Sequence, residues 1–270
     1  MSKEITGFSN PLVKRVRGLR DKKHRKAEGA FLAEGLRILT EAMNVGALPH
    51  MIWHAPETAE HPLVVRLTVA TEAAGGEVFV TSPEILSKLS GKDNPQAVIG
   101  VYPERLTPLT KIDRATANIW IVAEKLRDPG NLGTILRTGD AVGAGGLILI
   151  DDCTDPFSVE AVRASMGAIF TQAIATARWE DFVPWLRSGP GQLVGTSLNT
   201  DVDYQTPRYE TPTFLLVGNE SQGLPFDYEA ECDLLVKMPM MGKADSLNAA
   251  MATAVMGYEV LNQRRALGVK

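Results

Sequence analysis

Residues 213–225 read Thr-Phe-Leu-Leu-Val-Gly-Asn-Glu-Ser-Gln-Gly-Leu-Pro. The run from Thr213 to Val217 has no polar alternation, as expected of a strand buried on both faces. A polar segment flanked by Gly218 and Gly223 follows, and Pro225 stops any continuation. Glycine lets backbone approach a ligand closely, and binding residues concentrate on such strand-end loops. A simple solvated loop is the plainer reading of the same residues.

Similar apolar runs flank this one: Ile119 to Ala123, Leu147 to Ile150, Gln192 to Gly195 and Asp233 to Val236. Helical patterns lie between them, near 131–143, 157–170 and 180–187, and a last helix is expected from about Ser246 to Ala266. Unbroken strands with helical crossovers predict a parallel α/β sheet. The first half alternates short strands (31–34, 51–53, 77–80, 97–102) with helices (35–45, 62–74, 83–89), which predicts a smaller α/β domain. Residues 103–117, with two prolines and no periodicity, read as a connector. The expected domains are 1–107 and 118–270, with a linker at 108–117.

The chain has 270 residues, 44% of them hydrophobic and 22% charged, which excludes disordered, collagenous and coiled-coil classes. No signal peptide or 18-residue apolar stretch occurs, so the expected compartment is a reducing cytoplasm and no membrane is engaged. Cys153 and Cys232 match no disulfide framework or zinc spacing. The net charge of −4 conceals +7 on residues 1–27 and −11 on the rest. A basic arm of this kind implies contact with a polyanion such as nucleic acid; a solvated helix face is the alternative.

Common nucleotide signatures are missing. No Walker-type G-x-x-x-x-G-K-[ST] occurs, and Gly143, Gly145 and Gly146 precede a strand rather than follow one. The four histidines lie in the first half, away from the strand-end clusters, and no metal site is implied.

Two further clusters accompany the 218–225 loop. Residues 124–137, EKLRDPGNLGTILR, follow a buried strand; Pro129-Gly130 makes a turn and Asn131 can cap the next helix. Arg137 lies six residues beyond Asn131. The pair reads either as a cap and an exposed helix residue, or as an amide and a guanidinium offered to a phosphate or sugar. Residues 236–248, VKMPMMGKADSLN, lead into a helix rich in small residues (Ala249, Ala250, Ala252, Ala254, Gly257), with Asp245 or Ser246 as the expected cap.

Together these clusters resemble the three motifs of the SpoU/TrmH-type RNA ribose 2′-O-methyltransferases of the SPOUT superfamily. The matching residues are Asn131 and Arg137, Gly218 to Leu224, and Pro239 to Asn248; Arg163 to Ala168 (RASMGA) matches a further family segment. Met238 stands where the family often has isoleucine. The resemblance covers about 150 residues, 118–266. The first half more weakly resembles the RNA substrate-binding domain many of these enzymes carry, chiefly at Phe31 to Gly35.

The resemblance implies a C-terminal SPOUT domain with a deep trefoil knot, a homodimer, and S-adenosylmethionine (AdoMet) as cofactor. It implies methyl transfer to a ribose 2′-hydroxyl of RNA, with ribosomal (23S) RNA favoured by the extra domain. Transfer RNA as substrate, and a catalytically silent RNA-binding protein, are the alternatives. By the same resemblance Thr196, Ser197, Leu198, Gly218, Glu220, Met238, Met240, Ser246 and Leu247 form the cofactor pocket. The resemblance makes Arg137 the catalytic candidate, with Asn131, Glu220, Ser246 and Asn248 orienting it and the ribose. A guanidinium keeps its proton at neutral pH, so a clamp on phosphate and developing oxyanion is the favoured role for Arg137. In a dimer it would serve the cofactor of the second copy.

Overall fold

The computed structural model describes residues 2–219 and 222–268. The first part of the chain forms β1 (Lys3–Ile5), α1 (Pro11–Gly18), α2 (Lys22–Glu28), β2 (Ala30–Glu34) and α3 (Leu36–Asn44). It continues with β3 (Met51–His54), α4 (Pro62–Ala73), β4 (Glu77–Thr81), α5 (Pro83–Ser90) and β5 (Val98–Pro103). Next come β6 (Ile119–Glu124), α6 (Pro129–Ala141), β7 (Gly146–Ile150), α7 (Val159–Ala164) and β8 (Ala173–Ala177). The last elements are α8 (Trp179–Arg187), β9 (Gln192–Thr196), β10 (Thr213–Val217), α9 (Phe226–Ala230), β11 (Leu234–Val236) and α10 (Ala249–Ala266).

Two compact units result. Unit 1 comprises Met1–Arg105 and Asp155–Thr171; unit 2 comprises Leu106–Thr154 and Gln172–Lys270. Unit 1 holds a five-stranded mixed sheet in the order β1-β4-β3-β5-β2. The basic segment is not a free arm. Its first residues pair with β4, and Val13, Val16 and Leu19 are buried in the core. Those apolar residues recur at helical spacing among the cations, so one face packs and the other carries the charge. Lys14, Arg17, Lys22, Lys23 and Lys26 are exposed, whereas Arg25 is buried. Arg25 donates to Asp155 at 2.6 Å and to the carbonyls of Leu19 and Arg20.

Residues 155–171 therefore belong to unit 1, although they lie between β7 and β8 in sequence. Phe157 and Phe170 pack on Phe31, with ring centroids 5.0 and 6.0 Å apart, and Phe170 also meets Tyr102 at 4.7 Å. The RASMGA segment is thus in unit 1 rather than in the sheet of unit 2. The helix expected over 157–170 is shorter, because Met166 and Gly167 take positive φ angles (52° and 104°) that end it.

Unit 2 is a six-stranded, wholly parallel sheet in the order β11-β9-β10-β6-β7-β8. The expected linker is part of it: Ile112 is buried, and the Arg114 guanidinium lies 4.1 Å above the Trp185 ring while donating to the Leu186 and Trp185 carbonyls. β10 is central, its five residues buried, and pairs with β9 on one side and β6 on the other. α10 packs on α6 and β10, and small residues such as Ala250, Thr253 and Gly257 are among those it buries. Among the described residues, no helix is long and apolar enough to cross a membrane.

Candidate active site

The strand ends of β9, β10 and β11 open side by side on one cavity of about 340 Å³. The volume lies within the range of small-molecule sites, and the carboxyl ends of a parallel sheet are where α/β folds hold ligands. Thr196, Ser197 and Leu198 line it after β9, and Gly218 after β10. Met238, Met240, Ser246 and Leu247 line it after β11. Glu220 lies outside the described residues. Among the described residues no group of three or more His, Cys, Asp or Glu side chains could hold a metal ion.

Gly218 is where the strand turns back on its own loop. A Cβ there would overlap the Gly223 carbonyl carbon and lie 2.6 Å from the Gly223 oxygen and the Leu224 nitrogen. Gly223 returns its N–H to the Asn219 carbonyl at 3.0 Å, in the left-handed conformation (φ 67°). The Asn219 amide donates to the Lys125 carbonyl at 2.8 Å, fastening this loop to the end of β6. There Glu124 is buried, and burial raises its carboxyl above the usual range; nearby Lys125 and the Asn219 backbone oppose the rise.

The first and third clusters meet through two amides. Asn248 caps α10, its Oδ1 accepting the Ala250 N–H at 2.9 Å. Its Nδ2 is left to donate, and it does so to Asn131 Oδ1 at 2.9 Å. Neither expected cap holds: Asn248, not Asp245 or Ser246, caps α10, and Asp128 caps α6, accepting the Asn131 N–H at 2.6 Å. Asn131 instead sits in the first turn of α6, where its side-chain oxygen accepts from Asn248. Ser246 Oγ lies 3.3 Å from Asp245 Oδ1, and both residues are exposed. Arg137 is exposed on α6, does not line the cavity, and its side chain makes no hydrogen bond or ion pair among the described residues.

Sequence reasoning missed Glu229 and Asn199, which also line the cavity. Glu229 lies in an acidic stretch with Asp227, Glu231 and Asp233, and nothing in the pattern singles it out. Cys232 Sγ lies close to Gly195, and burial pushes its thiol up to about 12, which disfavours the reactive thiolate.

Residues 118–258 match the SpoU rRNA Methylase family and residues 10–100 match the MRM3-like substrate binding domain. The AdoMet-bound rRNA methyltransferase from Sinorhizobium meliloti is 41% identical, with a TM-score of 0.90 over 98% of each chain. The 23S rRNA (uridine(2479)-2′-O)-methyltransferase of Streptomyces viridochromogenes is 30% identical over 91% of this chain and 87% of that protein. The 23S rRNA (guanosine(2553)-2′-O)-methyltransferase of Bacillus subtilis is 29% identical over 96% and 99%.

Proposed function

The chain belongs to the SpoU rRNA methylase family, and on that footing we propose that it methylates a ribose 2′-hydroxyl of 23S rRNA in the cytoplasm. The observation that carries this reading is that the second and third motifs line one cavity and the first is hydrogen-bonded to both, through Asn219 to Lys125 and Asn248 to Asn131. AdoMet, when bound, supplies the electrophilic methyl group. The cavity fits it: the volume is that of a small-molecule site, and Gly218 and Gly223 bring backbone to its wall.

In this reading Thr196, Ser197, Leu198, Gly218, Glu220, Met238, Met240, Ser246 and Leu247 hold the cofactor. Arg137 clamps the RNA phosphate and stabilises negative charge growing on the 2′-oxygen, while Asn131, Glu220, Ser246 and Asn248 order the ribose side of the site. Arg137 stands outside the cavity, and its side chain has no partner among the described residues of its own chain. That supports a homodimer in which it serves the site of the second copy. Met251 and Tyr258, 58% and 48% exposed and one heptad apart on α10, supply an apolar stripe for such an interface. A deep trefoil knot in the C-terminal domain is part of the same proposal.

Calorimetry with AdoMet, and transfer of its labelled methyl group to 23S rRNA with mapping of the modified ribose, test the function. Leu247→Arg sets a cation beside a cofactor that itself carries a positive sulfur. AdoMet affinity should fall at least about tenfold in a folded protein; unchanged affinity would move the cofactor elsewhere.

Unit 1 is proposed as the domain that holds the RNA, with the exposed face of α1 and α2 as its cationic footing. Deleting residues 1–27 would remove core residues, so charge neutralisation is the cleaner probe. Replacing Lys14, Arg17, Lys22 and Lys23 with glutamine should reduce the slope of log affinity against log salt by about 3, since each phosphate that a cation neutralises adds about 0.7–0.9 to it. AdoMet affinity should stay constant. An unaltered slope would take this face off the RNA.

A further inference from the structure

Glu229 is a buried carboxylate, 6% exposed, on the short helix α9. Its Oε1 accepts from Ser197 Oγ and from Asn199 Nδ2 at 3.2 Å, and its Oε2 accepts from the same Asn199 amide at 3.1 Å. Ser197 Oγ in turn accepts the Asn199 N–H at 2.9 Å, and the Ser197 N–H donates to the Val236 carbonyl at 3.0 Å. Among the described residues, the side-chain donors to this carboxylate all come from one turn, residues 197–199. That turn and Glu229 both line the cavity.

A carboxylate out of water is costly unless hydrogen-bonded, and an apolar side chain would fill the same space without that cost. What the carboxylate adds is a hold on the turn. Backbone and Thr200 bonds to β11 hold the ends of the turn, but its tip is open: Leu198 is 57% exposed and Asn199 is exposed. A loop with few buried contacts opens readily, so its conformation depends on the bonds that span it.

We propose that Glu229 is a positioning residue for AdoMet, locking the 197–199 turn into the shape that forms one wall of the cofactor cavity. It acts through Ser197 and Asn199 rather than on the reacting atoms. The inference rests on the reading that this cavity takes AdoMet.

The hydrogen-bond polarity supplies the test. Glu229→Gln keeps the size but turns an amide N–H₂ toward the Asn199 amide, donor against donor. Asn199→Asp alone sets two carboxylates together. Combined, the two changes exchange donor and acceptor: the introduced glutamine amide donates to the introduced aspartate, while its carbonyl oxygen still accepts from Ser197. AdoMet Kd by calorimetry, KM for AdoMet and kcat at saturating AdoMet on 23S rRNA are measured for all four proteins, with melting temperatures.

Each single variant should weaken AdoMet binding about tenfold to a hundredfold, the effect of losing a charge-assisted bond. KM for AdoMet should rise while kcat at saturation holds, and the double variant should regain most of the affinity. Wild-type affinity in folded Glu229→Gln, or a double variant showing only the sum of the single losses, overturns the inference. If Glu229→Gln does not fold, Asn199→Ala removes two of the same bonds from the exposed side, and undiminished affinity there overturns it equally. Failure of the wild-type protein to bind AdoMet would overturn the functional reading itself, and this inference with it.

Discussion

Arg137→Ala should lower single-turnover methylation at least about 10²–10³-fold, the usual effect of removing one preorganised donor at a developing oxyanion. Melting temperature and AdoMet affinity should stay near wild type. The structure separates these readouts because the Arg137 side chain is exposed, makes no hydrogen bond or ion pair among the described residues, and stands outside the cavity. Its removal leaves no buried group unpaired. A guanidinium presents a planar fork of donors, whereas lysine presents a point charge, so Arg137→Lys should not restore the rate. Near-wild-type turnover in Arg137→Lys would mean that charge alone suffices. Unfolding of Arg137→Ala would make it a structural residue and end the proposed role.

Gly218→Ala should lose AdoMet affinity about ten- to a hundredfold. The added methyl group meets backbone, the Gly223 carbonyl and the Leu224 nitrogen, and not a side chain that could swing aside. The 218–224 loop must open to admit it. Overpacking of this kind typically costs about 1–3 kcal/mol, which falls on the loop that lines the cavity. Gly7, with open space around it, is the matching control: Gly7→Ala should bind AdoMet as the wild type does. Equal affinities in the two variants would show that the close approach at Gly218 does not shape the site.

How far the sequence could be read depended on where its information is local. β6, β7 and β10 were legible because a strand covered on both faces must be apolar at every position, as Ile119 to Ala123 is. β8 was missed: Ala-Ile-Ala-Thr-Ala at the sheet edge has neither a long apolar run nor strict alternation. β1 was missed because three residues carry no period, and the cations around α1 and α2 masked Val13, Val16 and Leu19. The cap at Asp128 was available from Asp-Pro, since proline favours the first helical position. The cavity-lining loops after β10 and β11 could be named from their motifs, because each of those motifs is a contiguous segment at a strand end. Glu229 could not be, because its role exists only where α9 folds against the turn after β9.

The placement of residues 155–171 limits how this protein could be recombined. A chimaera with a single crossover near residue 106 would pair a foreign unit 1 with this chain's Asp155, Phe157 and Phe170. The acceptor for Arg25 and two rings of the Phe31 cluster would then come from the wrong parent. Exchanging the smaller unit between relatives requires a second cassette, 155–171, to travel with the first. Inheritance of unit 1 is thereby tied to residues that lie inside the second half of the chain, so the two units are not freely exchanged modules.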